Sequence, residues 1–579
     1  MNKSEKVNTG LALVISFLSV MILYWIINKT LPVVYAINDD IGMRNIAAGA
    51  VTGEPDGHLI YIKYAFGFVL SQIYRLLPGF DWYGIIMTSL VMVSLAVILY
   101  RGLADIEEIR LRAVYMAAVL FVFICVGVQH VAIFQWTVTA AAVGSAGVFL
   151  FYTSSGENRL KVYLEECAAV LMLLITFCIR WETFMMVLPL AGLCYLFKYM
   201  KFDKEKKMRL SIRHFGVPAA LFVGCAAVLF IEKGAYQDED WQKYLEYNNY
   251  RSEVYDYYGF PDYNGNKEFY DSLDMGMEDV VALKQYSLLV VDGISEYKMK
   301  AIAEYAQKIG QANTNFSSKL LEGIDRTYSE FENGEYAPLI WFAAILLIAA
   351  FRYCYLKKSR QIWLCAACAA VQGLFWCYLG VAGRIVSRVG FAMFIDTLVI
   401  MAAILYRELK GQIRWEKYKK TRLNTTIFIL SSILLIGIAA LEWREVKETA
   451  SKMESKNMEY AELCQYMTSH KENVYFVQTF STDEYTENFT ARKDFKVENF
   501  IHLGGWSTFS PVAEQKKKLL GITNGETAIR DMDNAYVLSK IDTGYLVLYM
   551  KAKYGSCHSK LVDTISYPEY YFTVEKFSE

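Results

Sequence analysis

Residues 58–80 read HLIYIKYAFGFVLSQIYRLLPGF, and the way this stretch is counted decides the fold. It is long and apolar enough to cross a bilayer, which takes about 20 residues. It also carries Lys63, Gln72 and Arg75 at helical spacings, so a helix built from it has a polar side. Counted as a span, it reverses every later segment and puts the basic loops outside. Counted as an amphipathic helix in the outer interface, it leaves all of them inside. The charge pattern of the rest of the chain selects the second reading.

That pattern rests on eleven apolar runs, at about 10–29, 82–100, 113–130, 133–152, 163–179, 183–199, 215–231, 338–356, 361–381, 389–406 and 426–443. Lys3 and Lys6 precede the first run, and Arg101, Arg110 and Arg112 follow the second. KYMKFDKEKKMRLSIRH follows the sixth, YLKKSR the eighth and YRELKGQIRWEKYKKTR the tenth. With a cytoplasmic N-terminus, every one of these basic segments falls inside, as the positive-inside rule requires. The first run has a basic start but no small-residue cleavage site, so it reads as a retained span rather than a signal peptide.

Composition agrees. The chain has 579 residues, of which 55% are hydrophobic and 21% charged, with mean hydropathy +0.22. That mixture describes a membrane protein with sizeable water-exposed parts. A net charge of −1 leaves no global basic surface for nucleic acid. All of the 11 cysteines except Cys464 and Cys557 lie in apolar runs, where cysteine is usually a small core hydrophobe. A disulfide between those two is left open by their spacing. The expected fold is a polytopic α-helical membrane protein of about 11 transmembrane helices, with the N-terminus cytoplasmic and a C-terminal extracytoplasmic α/β domain. Residues 1–443 make the transmembrane domain, with outer loops at 30–81 and 232–337, and residues 444–579 make the α/β domain.

In the first outer loop, Asn38 or Asp39 is placed to cap a short helix running to about 48, closed by Gly49 or Gly53. The loop 232–337 holds about twice as many acidic as basic residues. Its start, AYQDEDWQKYLEYNNYRSEVYDYYGFPDY, is crowded with rings that would stack on sugars or simply sit at the interface. In the tail, residues 458–472 and 511–521 read as helices, while 473–480, 534–540 and 569–577 read as strands. Residues 543–555 are ambiguous. DED (238–240) and DMD (531–533) are expected outside, where nucleotide sugars are not, so neither reads as a donor site. Cys464, His470, Cys557 and His558 match no compact zinc spacing.

Charged groups at the membrane edge are costly and tend to mark function. Arg180 and Glu182 lie in the outer turn FCIRWETFMM. Arg384 and Arg388 are four apart in LGVAGRIVSRVGF, on one helix face at the outer mouth of the tenth span. His130 lies in the turn between the third and fourth spans. An outer arginine also snorkels to lipid headgroups without any further role. The spans themselves are nearly free of charge. The stretch YAINDDIGMRN (35–45) puts Asp39 and Asp40 just past the first span. Such a pair serves as a general base with an orienting partner, or helps to hold a divalent metal, or is an ordinary solvated loop.

A first span, an outer NDD opening a short helix, TGEPDGHLIYIKYAFGFVLSQIYRLLPGFDWYG, and then spans with basic inner loops together resemble the GT-C superfamily of membrane glycosyltransferases. Protein O-mannosyltransferases and aminoarabinose transferases belong to that superfamily. The HPP-type sequence common in its second interfacial helix is absent, since no proline follows His58. The resemblance implies a sugar donor carried on a polyprenyl phosphate and an acceptor that is a glycan, a lipid or a protein. It gives Asp39 the place of the catalytic carboxylate, in an inverting displacement, and Asp40 that of its neighbour. Arg384 and Arg388, then Arg180, are the candidates to hold the leaving phosphate. Glu182, His58, Lys63 and His130 complete the candidate substrate-contacting set. No cofactor is specified; a divalent cation would share the phosphate's charge, with Asp39 and Asp40 as its ligands. The alternatives are a polymerase, ligase or flippase of cell-envelope glycan, and a non-enzymatic envelope scaffold.

Overall fold

Long apolar runs satisfy their backbone groups internally by forming helices, and each of the eleven does so. The computed structural model describes residues 9–199, 201–202, 208–209, 215–312, 316–332, 334–383, 385–410, 422–489 and 495–579. In chain order the first half comprises α1 (Thr9–Thr30), β1 (Val34–Tyr35), α2 (Asn38–Ala48), α3 (Tyr64–Leu76), α4 (Trp82–Asp105) and α5 (Ile109–Val126). It continues with α6 (Gln129–Ala132), β2 (Ile133–Phe134), α7 (Trp136–Thr153), α8 (Arg159–Ile179), α9 (Trp181–Tyr199), the short pair β3 (Lys201–Phe202) and β4 (Met208–Arg209), and α10 (Gly216–Ala235). Next come α11 (Glu239–Glu253), α12 (Lys267–Ser272), α13 (Met277–Lys284), α14 (Glu296–Ala312), α15 (Phe316–Glu332), α16 (Ala337–Leu356), α17 (Gln361–Ala382), α18 (Ser387–Leu409) and α19 (Arg422–Ser469).

Among the described residues, nine helices are long and apolar enough to cross a membrane. They are α1, α4, α5, α7, α8, α10, α16, α17 and α18. The two other expected spans are also helical, as α9 and the first part of α19, but neither is among those nine. α7 is the hub. All of its residues but Ala142 are buried, among α4, α8, α9 and α18. Its small residues make this possible, because a Cβ on Gly147 would come within 3.0 Å of Met172 on α8.

The stretch 58–80 differs from its expected form. Residues 58–63 are not helical, and Leu59 and Ile62 are buried there. Only the 13 residues of α3 form a helix. At 1.5 Å per residue α3 is about 20 Å long, too short for a hydrocarbon core about 30 Å thick. α2 is present, but its cap is not the expected one. Ile37 holds the cap position with no side-chain bond, and Asn38 instead donates to the carbonyl of Asp483 at 3.1 Å. Gly49 closes the helix at φ 85°, a left-handed conformation that favours glycine.

The C-terminal part of the chain is built on a five-stranded sheet. It contains β5 (Val474–Val477), β6 (Phe500–His502), β7 (Ala535–Ser539), β8 (His558–Ser566) and β9 (Tyr571–Ser578), in the order β6-β5-β7-β9-β8. The helices α20 (Pro511–Leu519), α21 (Ala528–Asp531) and α22 (Gly544–Tyr554) lie between the strands in sequence. One core joins Tyr247, Leu283, Val290 and Ile302 of the large loop to Phe476, Val537, Leu546 and Cys557 of the tail. Leu463 and Met467 of α19 pack into a second core, with Tyr475, Leu538 and Phe572. Loop and tail thus share one core rather than standing apart as the sequence suggested. Cys557 belongs to the first core and Cys464 packs against the second, and no disulfide joins them. α19 carries the chain from the apolar run into this body as one 48-residue helix.

Candidate functional site

The tie between the tail and the first outer loop positions α2. β1 pairs parallel with β2, and its outer side bonds to the tail: Tyr35 N–H donates to Glu487 at 3.1 Å and Phe489 N–H to Val33 at 2.8 Å. Below this seam lies Arg44, wholly buried, with Nη1 3.4 Å from Asp81 and Nη2 2.8 Å from Glu487. α2 therefore emerges with its first turn at one end of the helical bundle. Carboxylates in that turn are favoured by the helix dipole.

Asp40 and Asp39 occupy that turn in different surroundings. Asp40 is fully buried, and Tyr83 Oη donates to its Oδ1 at 2.7 Å, while Oδ2 has no partner. Burial pushes its carboxyl well above the usual range; the Tyr83 bond opposes this and the charge of Asp39 adds to it. Asp39, in the same turn, is half-buried. Burial raises its pKa too, but Arg388, Arg180 and Arg251 pull it down, in that order, and Asp256 adds a smaller upward push.

Three of these cations come from separate elements. Arg180 sits in the extended break between α8 and α9, where its Nε is 2.9 Å from Glu182 and its guanidinium lies 4.2 Å from the Trp136 ring. Burial lowers its pKa, and Glu182 offsets part of that. Arg388 is in the first turn of α18, half-buried, with no ion pair or hydrogen bond among the described residues. Arg384 lies outside the described residues. Tyr83, Trp136, Arg180 and Arg388 mark the starts of α4, α7 and α18 and the end of α8, so one end of the bundle carries them all. At the opposite end, buried Arg101 reaches Glu165 at 2.7 Å and Asp105 at 3.2 Å, which absorbs part of the basic charge there.

Arg251 escaped sequence reasoning. It is buried in α11, donating from Nε to Asn248 at 2.8 Å and from Nη1 to Tyr286 Oη at 2.6 Å. Its sequence signal was an arginine inside the aromatic run NNYRSEVYDYYGF, which periodicity alone does not single out.

His58, Lys63 and His130 do not join this group. His58 bonds to Asp56 at 2.6 Å and to the Ala235 carbonyl at 3.1 Å, stacked on Trp241. Lys63 pairs with Glu232 at 3.4 Å. Both dock the first outer loop onto the start of the large loop. His130 is buried against Phe391, and burial lowers its pKa to about 4, so it is neutral. The expectation of nearly charge-free spans also needs correction. Asp396, fully buried midway along α18, accepts a hydrogen bond from Ser145 of α7, and its Oδ2 is unpartnered. Both amide atoms of nearby Gln372 are unpartnered as well, beside a void of about 10 Å³, room for one water.

Among the described residues no group of three potential ligands could hold a metal ion. Asp40 gives Oδ1 to Tyr83 and keeps Oδ2 without a partner, so with Asp39 the pair offers two carboxylates and no third protein ligand among the described residues. A separate open depression of about 390 Å³, lined by Pro55, Tyr74, Arg75 and Phe495, lies at the far end of α2 and bears no carboxylate.

No family model and no curated protein matches the chain. Among solved structures, ArnT from Cupriavidus metallidurans bound to undecaprenyl phosphate is similar, with 10% identity, 97% coverage of each chain and a TM-score of 0.38. That likeness is too loose to bear on the site.

Proposed function

We propose that the chain is a membrane glycosyltransferase that moves a sugar from a polyprenyl-phosphate-linked donor to a hydroxyl acceptor at the outer face of the membrane. The observation that carries this reading is the single open carboxylate of Asp39 set among Arg388, Arg180 and Arg251 at one end of an apolar helical bundle. A raised pKa makes Asp39 a stronger base once ionised. It takes the proton of the acceptor hydroxyl as that oxygen attacks the anomeric carbon from the face opposite the phosphate. The bond to the lipid phosphate breaks and the electron pair leaves with it. Arg388 and Arg180 receive the phosphate's charge, Arg388 being the one with no ion pair among the described residues. No step passes through a metal.

Asp40 keeps α2 oriented through Tyr83. The first-loop pattern that resembles the GT-C superfamily agrees with these roles. A flippase needs polar groups along a path through the bundle. Asp396 and Gln372 offer one enclosed polar spot, which favours the transferase. In membranes supplied with a polyprenyl-phosphate sugar, Asp39→Asn should lower transfer by about 10²–10⁴-fold, the contribution of a general base, at unchanged expression and thermal stability. Activity within threefold of wild type would remove Asp39 from the reaction.

A further inference from the structure

Two rows of aromatic rings lead to the first turns of α2. The first is Trp136, Tyr61 and Trp506, with the Tyr61 ring 5.7 Å from Trp136 and 5.2 Å from Trp506. Trp506 rests on α2 itself: a Cβ on Gly42 would meet its ring at 2.7 Å. The second is Phe480, Tyr286, Tyr255 and Phe260, with successive spacings of 5.7, 4.2 and 5.0 Å. Phe480 lies three residues before Asp483, whose carbonyl binds Asn38 beside Asp39. Both rows therefore reach the same place. Trp136 is buried, Tyr61, Trp506, Tyr286 and Tyr255 are half-buried, and Phe480 is 41% exposed, so each row runs from the core toward the surface.

Arg251 is bonded to the second row through Tyr286. Its bonds to Asn248 and Tyr286 fix the guanidinium, and Nη2 has no partner among the described residues. A fixed cation with one uncommitted donor, set between ring faces, suits a sugar hydroxyl. The apolar C–H face of a pyranose covers a ring while its hydroxyls bond at the edge. An anion would face Asp39 and Asp256, both of which act on this space.

We propose that Tyr61, Trp506, Tyr286 and Arg251 form a subsite for a neutral saccharide, the acceptor, held with one hydroxyl toward Asp39. This deepens the transferase reading and rests on it. The large loop, which supplies Arg251, Tyr255 and Tyr286, sets acceptor choice, while Arg388 and Arg180 remain for the phosphate.

The test uses the full-length protein in detergent and follows tryptophan fluorescence, to which Trp506 and Trp136 contribute. The probes are maltose, cellobiose and mannobiose, with undecaprenyl phosphate titrated separately. At least one disaccharide should give a saturable change. Tyr286→Ala and Arg251→Met should each weaken it by about tenfold or more, the scale of one ring contact or one charge-assisted bond. Tyr286→Phe keeps the ring but loses the oxygen that holds Arg251, so it should weaken binding less than Tyr286→Ala, which separates lost stacking from lost folding. Undecaprenyl phosphate binding should be unchanged by all three. No saturable response to any disaccharide, or wild-type binding in Tyr286→Ala, overturns the subsite. So does a loss of phosphate binding in Arg251→Met with saccharide binding intact. If disaccharides bind as described but wild type takes no undecaprenyl phosphate, the subsite stands and the donor assignment fails.

Discussion

Replacing Arg44 by Met should unfasten the outer body from the first loop without touching Asp39. The side chain is wholly buried and binds two carboxylates, Asp81 at 3.4 Å and Glu487 at 2.8 Å, as well as Asn45 Oδ1 at 2.8 Å. Removing one side of a buried pair costs about 3–5 kcal/mol, because the partner charge is left uncompensated. Two features place this case at the lower end. Asp81 keeps three donors, Tyr35 Oη at 2.6 Å, Gly84 N–H at 3.1 Å and Tyr74 Oη at 3.3 Å. Glu487 is 21% exposed and turns toward water. A loss of about 3 kcal/mol corresponds to roughly a hundredfold rise in opening of the seam. The seam consists of the Tyr35–Glu487 and Phe489–Val33 backbone bonds and the Val34–Asn488 bridge. Hydrogen exchange in detergent should therefore speed up by about a hundredfold at the amides of Tyr35 and Phe489, while β5 and β7 stay protected. Arg44→Lys should recover only part, since one ammonium lacks the fork that reaches both carboxylates. Exchange at Tyr35 and Phe489 within threefold of wild type would show that the buried cation does not hold the seam.

Arg388→Gln removes the strongest of the cations that lower the Asp39 pKa, so that pKa rises further. If Asp39 is the base it acts only when ionised, so the acid limb of kcat/KM should move to higher pH; an unmoved limb, or one moved down, would refute the coupling. Asp40→Asn, isosteric with a protonated carboxyl, should keep the Tyr83 contact and hold turnover within about tenfold, whereas a loss as deep as that of Asp39→Asn would exchange the two roles. In the bundle, Asp396→Asn should leave thermal stability in detergent close to wild type. Asp396→Leu, which strands the Ser145 hydroxyl, should lose about 1–3 kcal/mol; equal melting of the two variants would mean that Ser145 finds another acceptor.

The helices were legible because their signal is local. Eleven apolar runs carry the needed length, and Gly49 announces the end of α2. The strands around Phe476, Val537 and Val574 show as short β-rich segments between turn residues. What stayed hidden depends on contacts across hundreds of residues. Nothing in residues 232–312 says that Tyr247 and Leu283 will share a core with Phe476 and Leu546. Without that, Arg251 is one more charge in an acidic loop. The cap of α2 was misread for the same reason: Asn38 has the right chemistry for a cap, but the carbonyl of Asp483 claims its amide. Asp396 was passed over because one carboxylate barely lowers the hydropathy of VGFAMFIDTLVIMAAIL, although its burial is the costliest in that helix.

The two adjacent aspartates show how one fold separates like groups. Neighbours in a helix project about 100° apart, so Asp40 meets Tyr83 in the core while Asp39 stays half-buried. Two carboxylates this close do not both ionise cheaply. Burial raises both; Arg388, Arg180 and Arg251 oppose it at Asp39, whereas at fully buried Asp40 the Tyr83 bond, the Trp136 backbone and Arg388 leave the carboxyl well above its usual range. The proton therefore stays on Asp40 first, and Asp39 is the group that ionises. Each of those cations is delivered by a different part of the chain: Arg180 by the break after α8, Arg388 by the start of α18 and Arg251 by the loop body seated on the sheet. The ionisation of Asp39, on which its proposed role rests, is thus a property of the helical bundle and the sheet body together, and the seam at Arg44 is where that assembly is most open to test.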